Sequence, residues 1–312
     1  MKTAILFSGQ GAQFPGMMKD LVDAYPAGRE LFDTASTLLG RDIYTLTMEG
    51  TQEELDRTEN TQPCLLACEL AAYRVYHQQL GLPCEAAVGF SLGEWAALTA
   101  CGTADEESVL KIVARRAFAM QRAVPAGEGA MASVLGQDQE FVEQLCRSVG
   151  EVAPANYNCP GNITVSGSTG GVERLLTAAE AQRVLASRIP VSVPSHCVLM
   201  APATEELQPL VQDLPLGELR LEFVMNATGK AASDPSEIRE NLILQLVRPV
   251  LFQQSIELLL AEGYDTFVEL GPGKALSNMV KRTAKAKKAS VKLFQFNSVE
   301  SSQKVYDTFV SL

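Results

Sequence analysis

The chain opens with a four-residue apolar run, Ala4-Ile5-Leu6-Phe7, that ends in a glycine loop, Ser8 to Gln13. A short continuous apolar run bounded by glycine reads as a buried strand. Pro15-Gly16-Met17 then opens helical sequence that continues to about Leu39. Glu53-Glu54-Leu55 and Pro63 to Gln79 read as further helices. A second apolar run, Ala86-Ala87-Val88, turns through two glycines into an Ala/Leu-rich helical stretch, Glu94 to Thr99. Ala104 to Ala123 is a long helical pattern, closed by Val124-Pro125-Ala126-Gly127.

After that stop the pattern changes. Met131 to Leu135 reads as a strand and Gln137 to Val149 as a helix. Val152 to Asn158 and Asn162 to Ser166 are strands about a turn at Pro160-Gly161. Helix Gly171 to Ala181 and strand Arg183 to Ile189 complete the series. This β-α-β-β-α-β order is a ferredoxin-like split unit. The expected organisation is an α/β core from residues 1–125 and 196–312, interrupted by a ferredoxin-like small subdomain at 126–195. Thr266 to Leu270 is a late core strand that ends at Gly271-Pro272-Gly273. No internal repeat or low-complexity segment stands out.

Composition narrows the class. The 312 residues are 46% hydrophobic and 20% charged, ordinary for a chain that buries a core. No apolar run approaches the ~20 residues of a membrane span, and the N-terminal run is too short for a signal peptide. A cytoplasmic protein that does not engage a membrane is expected. The seven cysteines are odd in number, and their spacing matches neither a disulfide framework nor a zinc ribbon, so no metal is expected. Cys64 and Cys68 share a helix face as small core residues. The net charge of −11 argues against a nucleic-acid partner. Against that background Lys281, Arg282, Lys285, Lys287, Lys288 and Lys292 form a basic cluster, either a solvated face or a docking patch for an acidic partner.

The candidate chemistry begins at Gly89-Phe90-Ser91-Leu92-Gly93. Between a strand and a helix, Gly-x-Ser-x-Gly fits a nucleophile elbow, with the serine exposed near free helix N–H groups. By itself the motif also fits an ordinary turn. A serine hydroxyl needs a base, and the chain has two histidines. His77 sits at a helix end stopped by Gly81 and Pro83, where it suits the helix dipole. His196 lies in the proline-punctuated stretch Ile189 to Cys197, the kind of irregular segment on which catalytic groups concentrate, and is the better candidate base. Cys197 beside it is a weaker nucleophile candidate than Ser91, because it lacks the elbow setting.

Five segments in order resemble the malonyl-CoA:acyl carrier protein transacylase family: Gly9-Gln10-Gly11-Ala12-Gln13, Gly89 to Glu94, Arg116 through Met120-Gln121, Val193-Pro194-Ser195-His196, and Val268 to Gly273. They span nearly the whole chain. The resemblance implies an α/β fold with a hydrolase-like core on a parallel sheet and an inserted ferredoxin-like subdomain. It implies ping-pong transfer of malonyl from malonyl-CoA, through an acyl-serine, to the phosphopantetheine thiol of holo acyl carrier protein. No cofactor is implied. Ser91 matches the nucleophile, His196 the base, and Gln245 the residue whose main-chain carbonyl orients that base. The N–H groups of Gln10 and Leu92 match the oxyanion donors, with Gly9 and Gly11 letting the first loop lie against the elbow. Arg116, which read alone fits a surface pair with Arg115, matches the partner of the malonyl carboxylate, a role that suits a planar fork of donors. Gln10 and Phe90 also match substrate-binding positions. Phe90 is a departure, since the family commonly has histidine directly before the serine. Ser8 is a smaller one, standing where proline is common.

Other readings compete. In an α/β-hydrolase esterase the histidine lies near the C-terminus, whereas residues 197–312 follow His196 here. A proofreading acyl-thioester hydrolase has no evident use for Arg116. A discrete trans-acting polyketide acyltransferase shares all the same residues. A non-catalytic carrier-binding module does not require both Ser91 and His196.

Overall fold

The computed structural model describes residues 1–191 and 193–311; Ser192 of the proline-punctuated stretch and Leu312 lie outside them. Five strands form a wholly parallel sheet: β1 (Thr3–Phe7), β2 (Ala86–Gly89), β7 (Glu222–Val224), β8 (Thr266–Leu270) and β9 (Lys292–Phe296), in the order β7-β2-β1-β8-β9. Every residue of β1, β2 and β8 is buried, which is why β1 and β2 run apolar without alternation, while β8 also buries Glu269, whose carboxylate accepts from Leu276 and Ser277 N–H. The register sets Phe7 opposite both Gly89 and Leu270. The glycine loop, the serine turn and the Gly271–Gly273 loop therefore leave the sheet side by side. Ligand crevices of parallel sheets form at these carboxyl ends.

Four strands make a second, antiparallel sheet: β3 (Gly129–Leu135), β4 (Val152–Cys159), β5 (Asn162–Ser168) and β6 (Leu185–Ile189), in the order β4-β5-β3-β6. With helices Gln139–Val149 and Thr169–Ala181 this is the ferredoxin-like arrangement expected, and it has its own apolar cluster around Val134, Val165 and Leu175. Main-chain bonds fasten it to the core: Tyr157 N–H donates to Val250 O (2.9 Å), and Val250 N–H to Ala155 O (2.8 Å).

Local details correct the sequence reading. The stretch from Met17 to Leu39 is two helices, Lys19–Ala24 and Pro26–Leu39, because Tyr25 before the proline is extended. The helix placed from Pro63 begins at Thr58, with Pro63 inside it. Fifteen of its sixteen residues are buried, so packing outweighs the lost proline N–H. His77 lies in a wider, π-type turn, Arg74–Gln79, stacked on Tyr73 at 5.4 Å, far in role from the serine.

Candidate active site

The serine turn is compressed by its glycines. A Cβ on Gly89 would lie 1.9 Å from the Gly93 carbonyl carbon, and one on Gly93 would lie 2.3 Å from Phe7 O. The chain thus folds back onto β1, and Ser91 adopts φ 55°, a left-handed conformation that a non-glycine residue holds only under surrounding constraint. Ser91 is half-buried rather than exposed, and helix Gly93–Ala100 begins two residues after it. Asn226, just past β7, supplies the constraint. Its Oδ1 accepts the Ser91 N–H (2.7 Å) and its Nδ2 donates to Gly89 O (2.7 Å).

His196 also sits at positive φ, 61°. Its Nδ1–H donates to the Gln245 main-chain carbonyl (2.8 Å), which fixes the tautomer, so Nε2 accepts the Ser91 Oγ–H (2.8 Å). Gln245 directly follows helix Pro235–Leu244, where terminal carbonyls lack intrahelical partners. Burial pushes the imidazole down to about 4, reinforced by the nearby Arg116 charge and only partly offset by the Gln245 carbonyl. The ring is therefore neutral at pH 7, as a proton acceptor must be.

Arg116 lies on the buried stripe of helix Glu106–Ala123, in helical register with Val109, Ile112, Val113 and Met120, and is 1% exposed. Nη1 donates to Gln62 Oε1 (2.6 Å), and Nη2 to Gln245 Oε1 (2.9 Å) and Ser91 Oγ (3.2 Å). These partners are neutral, and among the described residues no carboxylate contacts the guanidinium. Burial lowers Arg116 to about 10, so it stays charged at pH 7.

The glycine loop lies against the turn at Gly9, where a Cβ would meet Phe90 O at 2.7 Å. Gly11 is different: nothing lies within 4 Å, and its φ of +107° is the reason for glycine there. The N–H groups of Gln10 and Leu92 donate to no described residue. Both residues line a cavity of about 200 Å³ together with Ser91, His196, Arg116 and Phe90. The Phe90 ring packs edge-on to Phe252, centroids 5.5 Å apart. The seven residues matched to the family's site, Gln10, Phe90, Ser91, Leu92, Arg116, His196 and Gln245, thus meet in or beside one cleft. Cys197 instead donates to Pro194 O and is buried.

Sequence reading missed Asn226, Gln62, Asn241 and Glu94. Three are amides without a motif. Glu94 had one available signal, a lone carboxylate in an Ala/Leu-rich helix. It is fully buried, and its Oε1 accepts from Asn226 N–H (2.6 Å) and Asn241 Nδ2 (2.8 Å), its Oε2 from Gln245 Nε2. Burial pushes it up to about 7, against the pull of those donors and of Arg116. Of the basic cluster, Lys287 is paired with Glu257 (2.9 Å), Arg282 donates to Pro160 O across to the antiparallel sheet, and Lys292 begins β9. Lys281 and Lys285 are exposed on helix Ala275–Ala286. Among the described residues no group of three or more His, Cys, Asp and Glu is arranged to hold a metal ion, and no helix is long and apolar enough to cross a membrane.

The family model described as acyl transferase domain matches residues 5–299. A malonyl CoA-acyl carrier protein transacylase from Escherichia coli (strain K12) is 39% identical over 285 residues, covering 89% of this chain and 92% of that protein. The solved malonyl CoA-acyl carrier protein transacylase from Coxiella burnetii superposes with a TM-score of 0.95 at 34% identity, covering 99% of this chain and 98% of the other. A malonyl-transacylase solved in complex with its type II PKS acyl-carrier protein gives 0.94 at 34% identity, covering 99% and 100%.

Proposed function

The chain belongs to the acyl transferase family, and we propose that it moves malonyl from malonyl-CoA to holo acyl carrier protein, supplying fatty-acid synthesis in the cytoplasm. It is an [acyl-carrier-protein] S-malonyltransferase. Ser91 Oγ attacks the thioester carbonyl while its proton passes to His196 Nε2. The oxyanion is received by the N–H groups of Gln10 and Leu92, a contribution worth about 3–4 kcal/mol per donor in comparable sites. Collapse breaks the C–S bond, and the leaving thiolate takes the proton from His196. The carrier's pantetheine thiol then repeats the steps in reverse, returning the serine hydroxyl. A thiolate leaving group asks less of the base than an amide does, so a main-chain carbonyl suffices behind His196. This covalent route uses the protein's own side-chain and main-chain groups and calls for no cofactor.

The observation that carries the malonyl assignment is Arg116: a buried charge, hydrogen-bonded to the reacting hydroxyl, with only neutral partners. A buried cation whose direct hydrogen-bond partners are all neutral favours a ligand that brings a carboxylate into contact with it. Lys281 and Lys285 offer cations to an acidic carrier on the helix that also bears the cavity residue Met279. Seven free thiols, six of them buried, suit a reducing compartment. Intact-protein mass spectrometry after incubation with a panel of acyl-CoAs tests the reading. The enzyme should gain a malonyl mass and lose it on addition of holo carrier protein. Loss to water alone at a comparable rate would make it a hydrolase.

A further inference from the structure

Glu94 takes no part in the steps above, yet its carboxylate sits where three functional groups are tied together. Asn226, which donates its main-chain N–H to Glu94, holds the Ser91 N–H with its side chain. Gln245, which donates Nε2 to Glu94, also donates Nε2 to Ser91 O (2.8 Å) and orients His196 with its carbonyl. On the far end of the same amide, Oε1 accepts from Arg116.

A primary amide has one donor end and one acceptor end. The Arg116 guanidinium only donates, and the two Glu94 carboxyl oxygens accept three hydrogen bonds, from Asn226 N–H, Asn241 Nδ2 and Gln245 Nε2. Bracketed between them, the Gln245 amide has one orientation that satisfies both. Reversed, it would set NH₂ against the guanidinium and oxygen against the carboxylate. A buried polar group left in that state costs about 1–3 kcal/mol. Glu94 and Arg116 thus face each other, both buried, across one amide.

We propose that Glu94 is a positioning residue for acyl-group selection: it fixes the Gln245 amide so that Oε1 holds Arg116 beside Ser91, ready for a carboxylated acyl group. The inference rests on the reading of Arg116 as the partner of the malonyl carboxylate. A Glu94 that merely stabilised the helix would affect every acyl substrate alike. Glu94→Gln introduces a donor among three donors, and turning the Gln245 amide over relieves the conflict only by dropping its bond to Arg116.

The test measures acylation of the full-length enzyme by malonyl-CoA and by acetyl-CoA. Glu94→Gln should lower kcat/KM for malonyl-CoA about 30-fold and for acetyl-CoA about threefold or less, so the ratio falls about tenfold, a size usual for lost outer-shell partners. Gln245→Met keeps the main-chain carbonyl and removes the amide; it should lower the ratio similarly, and the double variant should lower it no further. Equal losses for both substrates in Glu94→Gln, or an unchanged ratio in Gln245→Met, would overturn the proposal. If Glu94→Gln fails to fold, an unchanged ratio in Gln245→Met still overturns the proposal. Wild-type enzyme that takes up no malonyl sinks the functional reading instead, and so separates the two failures.

Discussion

On its core side the cavity meets Gln62, Ser91, Arg116 and His196, joined to one another and to Gln245 by hydrogen bonds of 2.6–3.2 Å. Across the cavity stand Met131, Asn156, Asn158, Thr164 and Ile189, one or two from each strand of the antiparallel sheet, and none of these is charged. Asn158 turns its amide to Asn162 and Thr164, within its own sheet. The contrast divides labour. In the proposed mechanism bond making and charge recognition lie on the parallel core, whose buried network holds each group from behind. The inserted sheet supplies shape. Precise placement of reacting atoms suits a densely bonded wall, whereas substrate size is set by side chains that change without disturbing that network.

The sharpest way to break this division is Ser91→Ala. Loss of the nucleophile should cut transfer by about 10⁴-fold or more, and no acyl mass should remain on the protein. A persisting covalent adduct in that variant would place the chemistry elsewhere, with Cys197 the first suspect.

The next test is pH. His196 is held near 4 in the fold against 6.5 when free. The folded value is depressed, so this contribution to stability is present in full above pH 6.5 and is lost as pH falls toward 4. The unfolded chain takes up the proton first, and the full span is worth about 3 kcal/mol. Denaturant midpoints should drop between pH 6.5 and 4, and that component should vanish in His196→Ala. The acid limb of kcat/KM should likewise lie below 6.5. A limb centred at or above 6.5 would mean that the imidazole is not desolvated as described.

Arg116→Ala probes charge recognition on the core wall. It should lower kcat/KM for malonyl-CoA relative to acetyl-CoA by about 10–100-fold, the scale of a lost charged hydrogen-bond pair. An equal effect on both substrates would remove Arg116 from selection. Met131→Ala is the matching probe of the opposite wall. Its added space should improve methylmalonyl-CoA relative to malonyl-CoA by up to about tenfold. A change in charge preference instead would erase the distinction between the walls.

The smallest effect belongs outside the cavity. Reversing Lys281 and Lys285 to Glu should raise KM for the carrier protein a few-fold, more so at low salt, while leaving malonyl-CoA kinetics unchanged. Carrier kinetics that stay unaltered would restore the cluster to a solvated face.

The parts written in consecutive residues were legible in the chain itself. Apolar runs without alternation announced β1 and β2, because strands buried on both faces have no polar side to show, and the Gly271-Pro272-Gly273 stop marked the end of β8. The strand-helix alternation of 131–189 announced the antiparallel unit, and Gly89-x-Ser91-x-Gly93 announced a turn too tight for side chains. Helix Phe252–Ala261 and strand β9 went unread, their apolar spacing being short and without a motif. The meeting of Ser91 with His196, 105 residues away, needed the tertiary fold, which brings the segment after β6 of the antiparallel sheet over the serine turn and ties its imidazole to the Gln245 carbonyl. Arg116 gave an ambiguous signal, since a helical arginine is surface or buried according to what packs on it. Glu94, Asn226 and Asn241 gave almost none. Polar groups inside a fold are settled by pairing with partners distant along the chain, and that pairing exists only once the core has closed around them.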